Sequence, residues 1–272
     1  WELKTRVLST VVILPLVILS IWVGGLLFSS VILVVSLIAS QECSRLLATR
    51  GFNSHAWMSS LLSGLIIALG FYLSTTSYQT VPITLGFTLL SLLAVSWMLI
   101  ANAKDGVIIN KTLSTLTPSL YPAGLLMQAP LIMGLDQGLY WLIILITGTS
   151  MTDTGAYLIG KKFGSHPFFH KISPSKTVEG AISGLIWGGA TLALISTLLP
   201  HLHISILQIA ILSITFPIVA QAGDLIESAL KRQSSVKDSG NIIPGHGGVL
   251  DRLDSIVFNV ALLYHFIKWI GT

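Results

Sequence analysis

The feature that most restricts this chain is its repeated run of about 20 largely apolar residues, the length that crosses a ~30 Å hydrocarbon core as an α-helix. Such segments fall at approximately 7–23, 27–49, 56–74, 81–101, 116–134, 138–162, 175–199, 204–232 and 250–270. Gly24-Gly25, Gly51, the Thr75-Thr76-Ser77 stretch, Gly134 to Gly138 and Pro200 supply the breaks between them. Composition agrees, because only 10% of the residues are charged where a soluble domain carries roughly 25%. The expected fold class is all-α: a polytopic integral membrane protein of about nine transmembrane helices. The first run is expected to be a retained helix and not a cleaved leader, since no A-x-A pattern follows it and further spans do.

The basic residues, which the hydropathy reading ignores, give an orientation. With the N-terminus in the cytoplasm, fourteen of the fifteen Lys and Arg fall on the cytoplasmic side and only Lys268 opposite, as the positive-inside rule requires. The acidic residues are distributed differently: seven of eleven lie between Asp153 and Asp254. This divides the chain by role. Residues 1–135 are expected to supply packing and lipid-facing helices with possible oligomer contacts, and residues 136–272 the catalytic helices with a polar, cytoplasm-facing site. In the first part, Glu42 and Arg45 stand three apart on a helix and are read as a local ion pair near the membrane surface. Cys43, the sole cysteine, excludes an intrachain disulfide and reads as a small apolar packing residue.

Charged side chains inside spans are costly and mark function by default. In QAGDLIESALKR, Asp224, Glu227, Ser228 and Lys231 share one helical face, with Asp224 two turns inside the charged end. The last span opens with LDRLDS, where Asp251, Asp254 and Ser255 again share a face, though carboxylates in a first turn also serve simply as caps. Two carboxylate-bearing helices around one loop suit Mg²⁺, which takes a few hard oxygens and completes its shell with water and phosphates. Asp224 and Asp251 are the first choice of ligands. The intervening SSVKDSGNIIPGHGG places Lys237, His246 and Arg252 around a glycine-rich turn, and such backbone before a helix start suits phosphate oxygens. Upstream, Asp153 and Tyr157 sit one turn apart, Ser173-Pro174 reads as an N-cap and first helical residue, and Lys176 and Glu179 then share a face. Asp153 and Lys176 are expected to face the site; Glu179 is equally well a rim charge.

A divalent metal, several cations and backbone donors at one membrane surface fit transfer at phosphorus. No G-x-S-x-G elbow and no P-loop is present. A transporter for a phosphorylated anion would also gather Lys, Arg and Asp in a bundle, but it calls for charges leading to both faces, and the outer loops carry almost none. The D-G-x₂-A-R arrangement expected of a CDP-alcohol phosphotransferase is missing.

The run Ser228, Leu230, Lys231-Arg232, Lys237-Asp238, Gly240, Ile243-Pro244, His246-Gly247-Gly248 and Asp251-Arg252-Leu253-Asp254 resembles the signature of phosphatidate cytidylyltransferases, also called CDP-diacylglycerol synthases. Asp153 with Ala156-Tyr157, Ser173-Pro174 with Lys176-Thr177 and Glu179-Gly180, and Gly223-Asp224-Leu225 resemble the same family. Ser175 departs from it, standing where a second lysine is expected. The resemblance implies that CTP and phosphatidic acid give CDP-diacylglycerol and pyrophosphate, with Mg²⁺ required and a second metal ion left open. It also implies a bacterial-type inner membrane, a membrane-lipid substrate and a homodimer, with no nucleic-acid partner. The residues then take expected roles. Asp224, Asp251, Lys176, Lys231 and Arg232 are catalytic. Asp153, Ser173, Lys176, Lys237, His246, Gly247, Gly248 and Arg252 bind substrate. Asp224, Asp251 and Asp254 hold metal.

Overall fold

The computed structural model describes residues 2–52, 54–76, 80–101, 107–199, 202–245 and 247–271. Its helices are α1 (Glu2–Val23), α2 (Gly25–Thr49), α3 (Ala56–Ser74), α4 (Val81–Ile100), α5 (Val107–Leu126), α6 (Gln128–Met133), α7 (Gly138–Phe163), α8 (Val178–Leu198), α9 (Ile206–Gln233), α10 (Leu250–Leu253) and α11 (Ile256–Ile270). Among the described residues there is no strand, only the isolated bridges Pro167–Thr177 and Ile243–Gly247. Seven segments there are long and apolar enough to cross a bilayer: α2, α3, α4, α7, α8, α9 and Leu250–Ile270. The chain is a multi-pass membrane protein, all helical because in hydrocarbon a span must pair its own backbone groups.

Two segments differ from a simple reading of hydropathy. In place of one span at 116–134, α5 starts earlier, carries Pro118 and Pro122, and gives way at Met127 to the short α6. The last span is broken after Leu253 by the Asp254-Ser255 turn, so that α10 precedes α11.

The helices form two compact units. One comprises Trp1–Leu135 with Leu230–Leu253, the other Asp136–Ala229 with Asp254–Thr272. In the first, Leu47, Met98, Met127 and Ile132 are fully buried and Gly70 lies against the Met127 carbonyl, where a Cβ would come within 2.4 Å. Cys43 is buried there with its Sγ 3.8 Å from Met98 Sδ, the packing role expected of it. The Arg50 guanidinium donates to the carbonyls of Met98 and Ala101, satisfying the end of α4. The segment after α9 is tied in by Ser234, which donates to Leu46 O, and by Gln233, which donates to Leu99 O.

The second unit rests on the close approach of α7 and α8. A Cβ on Gly155 would come 2.7 Å from Trp187, and one on Gly188 would come 2.0 Å from Thr152 Oγ1. Small residues let two backbones meet in this way where lipid gives helices little hydrophobic reason to associate. Trp141 packs edge-on against Phe266 of α11.

Candidate active site

The second unit holds an open cavity of about 440 Å³, lined among others by Asp153, Tyr157, Lys176, Gln221 and Asp224. Asp153 and Tyr157 come from α7, and Gln221 and Asp224 one turn apart from α9. Lys176 is carried by the segment between α7 and α8, which folds back on itself. Phe168 N donates to Lys176 O at 2.8 Å and Val178 N to His166 O at 2.9 Å. Lys176 Nζ, itself buried, lies 2.7 Å from Asp224 Oδ2; the two side chains are 26% and 31% exposed and both residues line the cavity. Ser228 Oγ approaches Asp224 Oδ1 at 3.4 Å. Asp153 lies within electrostatic reach of Asp224 and Lys176 and accepts a hydrogen bond from the Ser255 hydroxyl. Gln221 is oriented by Nε2 donation to Ala181 O and Pro217 O.

Helix α8 begins later than expected. Thr177, not Ser173, is the N-cap, its hydroxyl accepting from Gly180 N at 3.2 Å. Ser173 instead opens a tight turn in which Lys176 N donates to Ser173 O. Pro174 fixes the second position of that turn as readily as the first position of a helix, and the sequence satisfies both. Ser175, not Ser173, lines the cavity. Lys176 therefore precedes the helix and does not share a helical face with Glu179. Glu179 turns to Ser165, whose hydroxyl donates to it at 2.7 Å, and to His166.

A second polar set lies in the first unit. Lys231 Nζ is 2.7 Å from Asp251 Oδ1, with the side chains only 13% and 7% exposed. Asp251 Oδ2 accepts from Ser239 N at 2.9 Å and Gly248 N at 2.8 Å. Glu42, fully buried in α2, accepts from Val249 N (3.1 Å), Leu250 N (2.8 Å) and the Ser239 hydroxyl (3.3 Å). Its reading as a surface ion pair with Arg45 is corrected: Arg45 is exposed, and the open amides before α10 capture the carboxylate. Glycine is required around it, since a Cβ at Gly240 or Gly248 would come within 2.4 or 2.7 Å of its carboxylate oxygens. Gly247 has φ +84 and lies against Asp251 Oδ2. The amide of Gly248, in the loop expected to grip phosphate, and those of Val249 and Leu250 after it are thus occupied by the protein's own carboxylates.

The other expected residues are dispersed. Arg232, Lys237 and Arg252 are exposed in the first unit, and His246 lies outside the described residues. Asp254 Oδ1 accepts from the adjacent Ser255 N. Sequence reasoning gave Gln221 no role, read Ser255 only as sharing a face with Asp251 and Asp254, and read Glu42 only as half of an ion pair. The signal that singled out Asp224, a carboxylate two turns inside a helix end, applies equally to Glu42. Among the described residues no cluster of three or more His, Cys, Asp or Glu is gathered for a metal.

Residues 4–270 match the cytidylyltransferase family. The chain is 43% identical over 137 residues to a Bacillus subtilis (strain 168) protein named phosphatidate cytidylyltransferase, covering 50% of this chain and 51% of that one. A Staphylococcus saprophyticus protein of the same name is 41% identical over 128 residues, 47% of this chain and 49% of its own. The chain thus spans about half the length of these relatives in the matched region. A Staphylococcus aureus (strain COL) protein, also so named, is 30% identical across 96% of this chain and 97% of its own.

Proposed function

The chain belongs to the cytidylyltransferase family, and from that membership we propose that it transfers CMP from CTP to phosphatidic acid, giving CDP-diacylglycerol and pyrophosphate. The observation that carries the reading is the Lys176–Asp224 pair, beside Asp153, in a cavity of about 440 Å³ set among apolar helices. Ligand pockets run from roughly 300 to 1,000 Å³. A cation and two carboxylates in so apolar a setting are justified by an anionic, metal-associated substrate.

An oxygen of the lipid phosphate attacks the α-phosphorus of CTP, and the bond from that phosphorus to the bridging oxygen of the β-phosphate breaks, releasing pyrophosphate. The attacking oxygen is already anionic near neutral pH, so no side chain has to remove a proton. Lys176 exchanges Asp224 for a substrate phosphate and holds it against the repulsion between two anions. Lys231, Arg232, Lys237 and Arg252 are the phosphate-binding cations of this reading in the first unit, the last three at exposed positions and Lys231 held by Asp251. Asp224 and Asp153 offer the hard oxygens that Mg²⁺ prefers, and the absence of a larger protein ligand cluster among the described residues suits an ion that keeps water and phosphates in its shell. When bound, Mg²⁺ supplies neutralisation of the phosphate charge. Asp251 would be a ligand only if Lys231 left its Oδ1.

The same reading places the N-terminus and the basic loops in the cytoplasm, nine spans in a bacterial-type inner membrane, and the enzyme as a homodimer. The test is purified protein incubated with CTP labelled in the base, phosphatidic acid and Mg²⁺. Label is expected in a lipid with equimolar pyrophosphate, and none when Mg²⁺ is chelated. A folded preparation that moves label across proteoliposomes without making liponucleotide would establish the transporter reading instead.

A further inference from the structure

Glu42 is a fully buried carboxylate outside every motif of the reaction, on the second helix of the chain. Burying it needs several donors, since an ionised carboxylate loses much hydration in an apolar interior. All of its hydrogen-bond donors named above, Val249 N, Leu250 N and the Ser239 hydroxyl, belong to the segment 239–250. The glycines at 240 and 248 bring that segment's backbone onto the carboxylate. Two of these residues serve Asp251 as well: Ser239 and Gly248 give it their amides. Ser239 and Gly248 thus stand between Glu42 and Asp251, whose Oδ1 in turn holds Lys231. Stability alone is a weak reason for such an arrangement, because well-packed apolar groups commonly do as well as a buried charge.

We infer that Glu42 is a positioning residue for the transfer: it fixes the segment 239–250, and with it Asp251, Lys231 and the exposed Lys237. This rests on the function proposed above. Glu42 touches no reacting atom and acts through backbone it holds.

The experiment uses the full chain in bilayer discs and compares wild type with Glu42→Gln, which keeps size and loses charge. Amide hydrogen exchange over 239–250 is read alongside kcat and KM for each substrate, with activity normalised to folded protein. Exchange in 239–250 is expected to rise about tenfold while α7 and α8 keep their protection. Because displacements near 1 Å cost up to about 100-fold in rate, kcat is expected to fall about tenfold or more, with both KM values changing less than about threefold. Wild-type exchange in 239–250, or a loosened segment with unchanged kcat, overturns the inference. If Glu42→Gln does not fold, Gly240→Ala sets a methyl against the carboxylate and keeps the charge; the same two readouts then decide. Should the wild type itself make no liponucleotide, the functional reading fails and takes the catalytic part of the inference with it. The exchange arm still reports separately whether Glu42 holds the segment.

Discussion

The two polar sets use the same residue types to opposite ends. Around Asp251 the charges are closed upon themselves: Lys231 on one oxygen, two amides on the other, Glu42 on the neighbouring amides, and side chains 7% and 13% exposed in the ion pair. Around Asp224 they are open: a lysine on one oxygen, a long contact to Ser228 on the other, side chains 31% and 26% exposed, and a cavity alongside. A carboxylate whose acceptor sites are filled by its own chain organises structure, whereas one with room left can exchange its partner for a ligand. Under the proposed function the contrast favours Asp251 for holding the loop and Asp224 for meeting substrate, although both share the same i, i+3 pattern in sequence.

The sharpest way to break this contrast is to neutralise each carboxylate. Asp224→Asn is expected to lower kcat about 10³-fold or more with an unchanged thermal midpoint, since a transition-state charge contact is lost from an open site. Asp251→Asn is expected to lose activity and in addition about 3 kcal/mol of stability, because Lys231 is left buried without its anion. Equal thermal midpoints for the two variants, measured in the same detergent, would abolish the distinction. Next in size is Lys176→Met, expected to raise KM for a substrate about 10- to 100-fold with little change in stability. An unchanged KM for both CTP and phosphatidic acid would remove Lys176 from binding. The smallest effect concerns the segment that presents Lys176. Thr177→Ala removes the α8 N-cap and is expected to cost about 1 kcal/mol, with a modest rise in KM as the turn before the helix loosens. A shift confined to KM with no loss of stability would mean that the cap serves the site more than the helix.

The long apolar helices were legible because a span is recognised from its own residues. Asp153, Lys176 and Asp224 were picked out as charged residues in or beside the spans, and all three line one cavity. The start of α8 was not, because Ser173-Pro174 satisfies a tight turn and a helix start equally and only the pairing of Phe168 with Lys176 decides between them. Glu42 was not, because a neighbour three residues away on the helix offered a local partner.

Sequence alone determined that this chain folds as helices in a bilayer and that its rare charges gather toward the C-terminal half. Both follow from local composition acting against a low-dielectric solvent that admits no unpaired backbone and few unpaired charges. Only the tertiary structure decided which charge meets which donor. Glu42 binds amides 207 and 208 residues further along the chain. That choice rests on how closely two glycines let the backbone approach and on which amides the start of α10 leaves open. Neither condition exists until the helices have packed.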